Sequence, residues 1–257
     1  MTWSAGVNFT VKGKMASKQE APITRDTKYY KVGLDLALNW FISQSNWASY
    51  PRLVVTTPHS SIWDNLLAPY VTNPFFTVAR NEQGAAATIL RVICPIFNDR
   101  NNPNSAEFSI QELDRRVRDP SWPQLLLWPE GTTHNRLAAI RHKVGAYKPG
   151  LPVQPLCLKF KNRWTTDIWT FKGPTVPTLY FYTLLQFWTN IEIEYLPVYN
   201  PSPEEKKDAR LYADNVRDVI SKHLEVPAVD LGREDGFSLL KADELGLPDN
   251  VGLGRVD

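Results

Sequence analysis

His59 and Asp64 stand five residues apart in Pro58-His59-Ser60-Ser61-Ile62-Trp63-Asp64. An imidazole beside a carboxylate makes a general base: the carboxylate orients one ring nitrogen and stabilises the imidazolium formed when the other takes a proton. On a continuous helix, residues five apart point about 140° from one another and do not touch. The two side chains can meet only where a helix begins between them. Ser61 is a good N-cap, and Ser61-Ile62-Trp63-Asp64 has capping-box spacing, in which the acidic side chain turns back toward the helix start. His59, on the incoming turn, then lies beside that carboxylate. The same spacing also serves a plain helix cap next to a surface histidine, so the pair alone leaves both readings open.

A second group, Trp128-Pro129-Glu130-Gly131-Thr132-Thr133, follows a strongly apolar run. The carboxyl ends of strands in α/β sheets form the usual ligand crevice. A turn there offers backbone N–H groups and the hydroxyl of Thr132 to a phosphate, with Gly131 at the bend and Glu130 fixing the loop from inside. An ordinary strand-to-loop turn has the same composition. Arg100, just after Pro95-Ile96-Phe97, suits bidentate phosphate recognition or a surface pair with Asp99. Arg80 is a further candidate of that type.

The elements that must position these residues alternate in type. Residues 52–57, 75–79, 95–97, 124–128, 153–160 and 191–196 read as strands or short extended pieces. Residues 61–71, 85–91 and 107–118 read as helices, and a further helix opens with Ser202 as N-cap and Pro203 at its first position and runs to about residue 224. This is an α/β pattern, a single domain with a central mixed sheet flanked by helices. Residues 1–50 carry a short strand at 7–11, a polar lysine-containing link and an amphipathic helix at 32–42, with apolar residues at 34, 38, 41 and 42. The main domain takes residues 51–225, and 226–257 reads as a loosely packed acidic tail.

The 257 residues suit one large domain. Aromatic residues make up 12% and include nine Trp, a richness that fits a membrane-facing surface as well as a Trp-rich core. A net charge of +2 excludes a strongly basic nucleic-acid binder, but residues 131–166 hold Arg136, Arg141, Lys143, Lys148 and further cations with no acid among them. That run could meet phosphates or anionic lipid, or form a solvated face. Cys94 and Cys157 lie in apolar surroundings and read as reduced core thiols, with no metal site implied. No secretory signal is visible and no stretch has the purity of a spanning helix. Residues 173–191 carry no charge but are interrupted by Pro174, Pro177, Gln186 and Asn190, so they read as a buried or interfacial helix.

Together the residues resemble the glycerolipid acyltransferase family, and their order along the chain carries the resemblance. Four blocks match: His59 to Asp64, the block ending at Arg100, Pro129-Glu130-Gly131-Thr132, and Leu151-Pro152-Val153-Gln154-Pro155. The similarity is greatest to the lysophosphatidylcholine acyltransferase branch, through Ala79-Arg80-Asn81-Glu82, Lys143-Val144-Gly145-Ala146-Tyr147 and Glu192-Ile193-Glu194-Tyr195-Leu196-Pro197-Val198.

The resemblance implies that His59 deprotonates an acceptor hydroxyl attacking acyl-CoA, with Asp64 stabilising the imidazolium. Arg100, Glu130, Gly131 and Thr132 would hold the acceptor phosphate. Arg80, Lys143 and Pro152 are candidates for contacts to substrate or CoA. The implied partners are acyl-CoA as co-substrate, a lysophospholipid and a membrane surface at the cytosolic face of the endoplasmic reticulum, met peripherally or monotopically; no cofactor, metal or nucleic acid is implied. Alternative acceptors are lysophosphatidic acid and glycerol 3-phosphate, and an alternative class is a non-catalytic lipid-surface binding protein. A hydrolase built on His59 and Ser60 or Ser61 lacks a Gly-x-Ser-x-Gly elbow. The sequence departs from the branch in an insertion at 24–50, in His142 where an aromatic residue is preferred, and in lacking the branch's N-terminal anchor and calcium-binding modules among its 257 residues.

Overall fold

The computed structural model describes residues 6–12, 28–31, 53–61, 64, 75–76, 78–80, 96–98, 104–119, 122, 124–161, 168–170, 173–186 and 188–246. The described strands are β1 (Gly6–Lys12), β2 (Lys28–Lys31), β3 (Leu53–Thr57), β4 (Phe75–Phe76), β5 (Val78–Arg80), β6 (Ile96–Asn98), β7 (Gln124–Leu127), β8 (Gln154–Phe160) and β9 (Trp188–Tyr195). The described helices longer than one turn are α1 (Ser105–Arg118), α2 (Val176–Leu185), α3 (Ala209–Leu224) and α4 (Arg233–Glu244).

Leu53-Val54-Val55 is an uncharged, mostly β-branched run, and such runs suit strands buried on both faces. All three residues are fully buried, at the centre of a seven-stranded sheet of order β2-β1-β9-β8-β3-β7-β4. β4, β7, β3 and β8 are parallel neighbours, whereas β9 runs antiparallel to β8 and β2 antiparallel to β1. The sheet is therefore mixed, as expected. Because side chains alternate along a strand, Leu53, Val55, Leu125, Leu127 and Cys157 share one face. There they pack with Leu113 and Val117 of α1 and with Tyr212, Val216 and Ile220 of α3. Burial pushes the Cys157 thiol up to about 12, so it is an inert core group. Cys94 lies outside the described residues.

Several elements differ from the sequence expectation. The strand expected over 75–79 is two: β4 pairs with β7 in the main sheet, and β5 pairs with β6 in a separate two-stranded sheet. The polar link after β1 contains β2. The helix expected from Ser202 starts instead at Ala209, where the Asp208 carboxylate accepts the amides of Arg210 and Leu211. Ser202 and Glu205 do form the reciprocal capping-box bonds, but Glu205 is also tied inward by the Tyr199 hydroxyl and the Asn215 amide, and the segment turns for only a few residues.

The expected loose tail is not loose up to residue 246. Its start is bonded to residues 139–141, with Ala139 N–H on Pro227, Val229 N–H on Ala139 and Arg141 N–H on Leu231, and α4 follows. The uncharged 173–191 stretch gives α2 and then the start of β9. The expected helices at 32–42 and 85–91 lie outside the described residues, as does most of the one at 61–71, of which Asp64 is seen in helical backbone. No helix among the described residues is long and apolar enough to cross a membrane.

Candidate active site

Parallel pairing brings three strand ends to one edge. Thr57 of β3 is level with Cys157 of β8, and Val55 is level with Leu127 of β7. His59 therefore leaves the sheet beside Glu130, with Phe160 closing β8 at the same end. Crevices of this kind, at the carboxyl ends of parallel strands, are where α/β sheets bind ligands.

Asp64 turns back as a capping-box acid must. One oxygen, Oδ2, lies 3.0 Å from His59 Nδ1 and accepts the backbone N–H groups of Ser60 and Ser61 at 2.7 and 2.9 Å. The carboxylate is buried, while the His59 ring is only partly so. With Nδ1–H donated to Asp64, Nε2 is the nitrogen available to take a substrate proton. The ring also rests on Trp128, centroids 5.2 Å apart. The other Asp64 oxygen is buried without a hydrogen-bond partner among the described residues, so the three bonds to Oδ2 carry its fixation.

Glu130 is fully buried and faces the protein, not the crevice. Its carboxylate accepts the Thr57 hydroxyl, the His59 N–H at 2.7 Å and the His134 ring, whose Nε2 lies 3.0 Å away. Burial alone would raise its pKa, but His134, His142 and the Thr57 hydroxyl outweigh that and hold it below the ordinary value. The geometry makes Glu130 a brace that joins the two strand ends, the loop-fixing role expected of it.

Gly131 sits at φ +65, a conformation L side chains avoid, and a Cβ there would come 2.9 Å from the Lys143 side chain. Lys143 in turn donates its N–H to Pro129 and pairs with Glu234 at 2.6 Å. Thr132 is partly exposed beside this turn, its hydroxyl 3.4 Å from the Thr133 carbonyl.

Three expected residues remain: Arg100, Arg80 and Pro152. Arg100 lies outside the described residues, and Arg80 ends β5 with its side chain undescribed. Pro152 precedes β8, whose start pairs with Val54, so it sits at the opposite end of the sheet from His59, roughly 20 Å away at the usual rise per strand residue. Two residues not singled out for the site do belong to it. His134 binds Glu130, and Arg136, at φ 68, donates Nε–H to the Ser60 hydroxyl at 2.7 Å with its guanidinium 3.7 Å over the Phe160 ring. The signal available was the acid-free cationic run; nothing in its spacing distinguished Arg136 from its neighbours. Among the described residues no cluster of three or more His, Cys, Asp or Glu side chains could hold a metal ion.

His142 lies behind this loop, fully buried, with Nδ1 2.8 Å from the Tyr147 hydroxyl. Burial, aided by Arg217 and Arg210 and opposed by Glu130, pushes its imidazole down to about 4 from 6.5. The unfolded chain therefore takes up this proton first as pH falls. Stability is complete above the unfolded value, drops by roughly 3 kcal/mol as pH falls from about 6.5 to about 4, and loses no more from this group below that. Urea unfolding at pH 7 and pH 4.5 is expected to show a shallower loss for His142→Phe than for the wild type; equal losses would refute the assignment.

The site and fold define an α/β protein with a His–Asp pair at the carboxyl ends of parallel strands. Residues 41–159 match the family model described as Acyltransferase. The chain is 37% identical over 243 residues to a lysophosphatidylcholine acyltransferase of Drosophila melanogaster, covering 93% of this chain and 40% of that protein. It is 35% identical over 257 residues to lysophosphatidylcholine acyltransferase 2 of Mus musculus, covering 98% and 42%. With lysophosphatidylcholine acyltransferase 1 of Rattus norvegicus the figures are 38% over 198 residues, 76% and 37%. The chain thus spans about two fifths of the length of these relatives. A solved structure, the 1-acyl-sn-glycerophosphate (LPA) acyltransferase of Thermotoga maritima, aligns with TM-score 0.45 at 16% identity, over 68% of this chain and 65% of that one. The chain belongs to the glycerolipid acyltransferase family.

Proposed function

We propose that the protein transfers a fatty acyl group from acyl-CoA to the free hydroxyl of a lysophospholipid, with a lysophosphatidylcholine-like acceptor favoured over lysophosphatidic acid or glycerol 3-phosphate. The observation that carries this is the His59–Asp64 pair, 3.0 Å apart and fixed by two further hydrogen bonds from backbone N–H groups, at the carboxyl ends of the parallel strands. The names of the relatives support the acceptor class.

In the reaction, His59 Nε2 takes the hydroxyl proton as the oxygen attacks the thioester carbonyl. The C–O bond forms, the C–S bond breaks, and the imidazolium, stabilised by Asp64, returns the proton to the departing CoA thiolate. No cofactor or metal takes part beyond acyl-CoA as co-substrate. Gly131 and Thr132, with Arg100, meet the acceptor phosphate, and Glu130 fixes their turn from within. Lys143 and the neighbouring cations serve the CoA phosphates. Incubating labelled acyl-CoA with a panel of lysophospholipids in vesicles and in detergent tests the proposal; if no acceptor becomes labelled, it fails.

The acceptor lies in a membrane, which we place at the cytosolic face of the endoplasmic reticulum, and α2 suits the contact. Phe181, Tyr182 and Leu185 are exposed on a helix without charge, and Trp169 on the segment before it donates its N–H to the Ser60 carbonyl at 2.8 Å. This ties an apolar, aromatic surface to the catalytic turn. Replacing Phe181 and Leu185 together by Asp is expected to weaken sedimentation with phosphatidylcholine vesicles about 100-fold, since each side chain contributes about 1.5–3 kcal/mol when buried. Transfer to a detergent-dispersed acceptor should persist. Unchanged vesicle binding would exclude α2 as the contact. The same face suits a non-catalytic lipid-surface protein, which would bind vesicles and label no acceptor.

A further inference from the structure

We propose that His134 is a positioning residue for His59, holding the backbone of the base from both sides through the loop that carries Glu130. The backbone N–H of His134 donates to the His59 carbonyl at 3.0 Å. Its ring Nε2 lies 3.0 Å from Glu130 Oε1, and the other Glu130 oxygen accepts the His59 N–H at 2.7 Å. Both polar backbone groups of His59 are therefore bonded to residues 130 and 134, while Asp64 fixes only its ring. The tautomer of His134 follows from its other nitrogen. Nδ1 accepts the backbone N–H of Arg136 at 3.3 Å, so Nδ1 carries no hydrogen and Nε2–H is the donor to Glu130.

The ring contributes to catalysis through its neighbour. A buried carboxylate needs its donors, and among the described residues Glu130 has three: the Thr57 hydroxyl, the His59 amide and the His134 ring. Without the third, Glu130 must draw on the other two or admit water. Either response shifts the His59 backbone while leaving the ring's bond to Asp64 intact, and a base displaced by a fraction of an ångström misses the attacking hydroxyl.

The inference rests on the acyl-transfer reading for its kinetic test, so a spectroscopic one accompanies it. His134→Leu is expected to lower kcat about 100-fold while KM for acceptor and acyl-CoA stays within about threefold, compared at equal folded fraction. His134→Gln, which keeps an N–H at the Nε2 position, is expected to recover to within about tenfold of the wild type. In imidazole 1H–15N spectra, wild-type His134 should appear as the Nε2–H tautomer, and the His59 signals should broaden or split in the leucine variant. A leucine variant with wild-type kcat, a KM effect alone, a glutamine variant as impaired as leucine, or unperturbed His59 signals would each overturn the proposal. If the wild type itself labels no acceptor, the transfer reading fails and the spectra alone decide the role of His134.

Discussion

His59→Ala is expected to lower kcat for acyl transfer by about 10³–10⁴-fold, the upper range for loss of a positioned general base. The loss should fall on kcat, because in the proposed reaction the imidazole acts on the hydroxyl proton as the ester bond forms and contributes little to holding either substrate beforehand. Folding should be nearly unaffected. The ring is partly exposed and rests on one face of Trp128, and the bonds that order this turn come from the backbone of His59, which alanine retains. A change in unfolding free energy of under about 2 kcal/mol is the corresponding expectation. Vesicle binding through α2 should also survive. The measurement is single-turnover transfer of labelled acyl chains beside a urea titration of the same preparation. A variant that keeps a tenth or more of wild-type kcat would remove His59 from the chemistry, whatever the geometry of its neighbours.

How far the site could be read from sequence depends on whether a residue's position is set locally or by strand register. His59, Ser61 and Asp64 were legible because a capping box is a local device: the backbone that starts the helix is also what turns the carboxylate back. Ser202 and Glu205 show the limit of that rule. They make both bonds of the capping box, yet the helix starts at Ala209, because Tyr199 and Asn215 engage Glu205 from elsewhere in the fold. Pro152 was grouped with the site by its order in the family blocks, but order does not say at which end of a strand a residue falls. Only the pairing of Val54 with Gln154 reveals that it lies away from the crevice.

His134 and Arg136 were missed for the converse reason. They lie on an irregular segment after β7, where no period of 2 or 3.6 marks a direction, and reach the site through contacts with His59 and Ser60, both remote in sequence. Glu130 was seen from both sides. Its position after an apolar strand suggested a loop brace, the family resemblance suggested a ligand contact, and its burial among three donors favours the brace.

Asp64→Asn separates the two readings that the spacing of His59 and Asp64 left open. As a capping-box acceptor, asparagine keeps the side-chain oxygen that receives the amide at the helix start. Its amide oxygen can occupy the place of Oδ2, accepting the Ser60 and Ser61 amides and the Nδ1–H of His59, while its NH₂ takes the place of the oxygen that has no partner among the described residues. If Asp64 only caps a helix, transfer should be unchanged. If it stabilises an imidazolium, the loss of charge removes the favourable interaction that grows as His59 takes the proton. A flipped amide would further favour the wrong tautomer. The expected result is a fall in kcat on the order of 10³-fold, with near-native near-ultraviolet circular dichroism and a stability loss of about 1–3 kcal/mol from the buried, unpaired NH₂. The stability loss and the kinetic loss then have different origins, and Asp64→Ala tests that: it should lose the cap as well as the charge and be less stable than the asparagine variant, with a similar kcat. Wild-type turnover in the asparagine variant would return Asp64 to the role of a cap and leave His59 without the carboxylate that makes it a base.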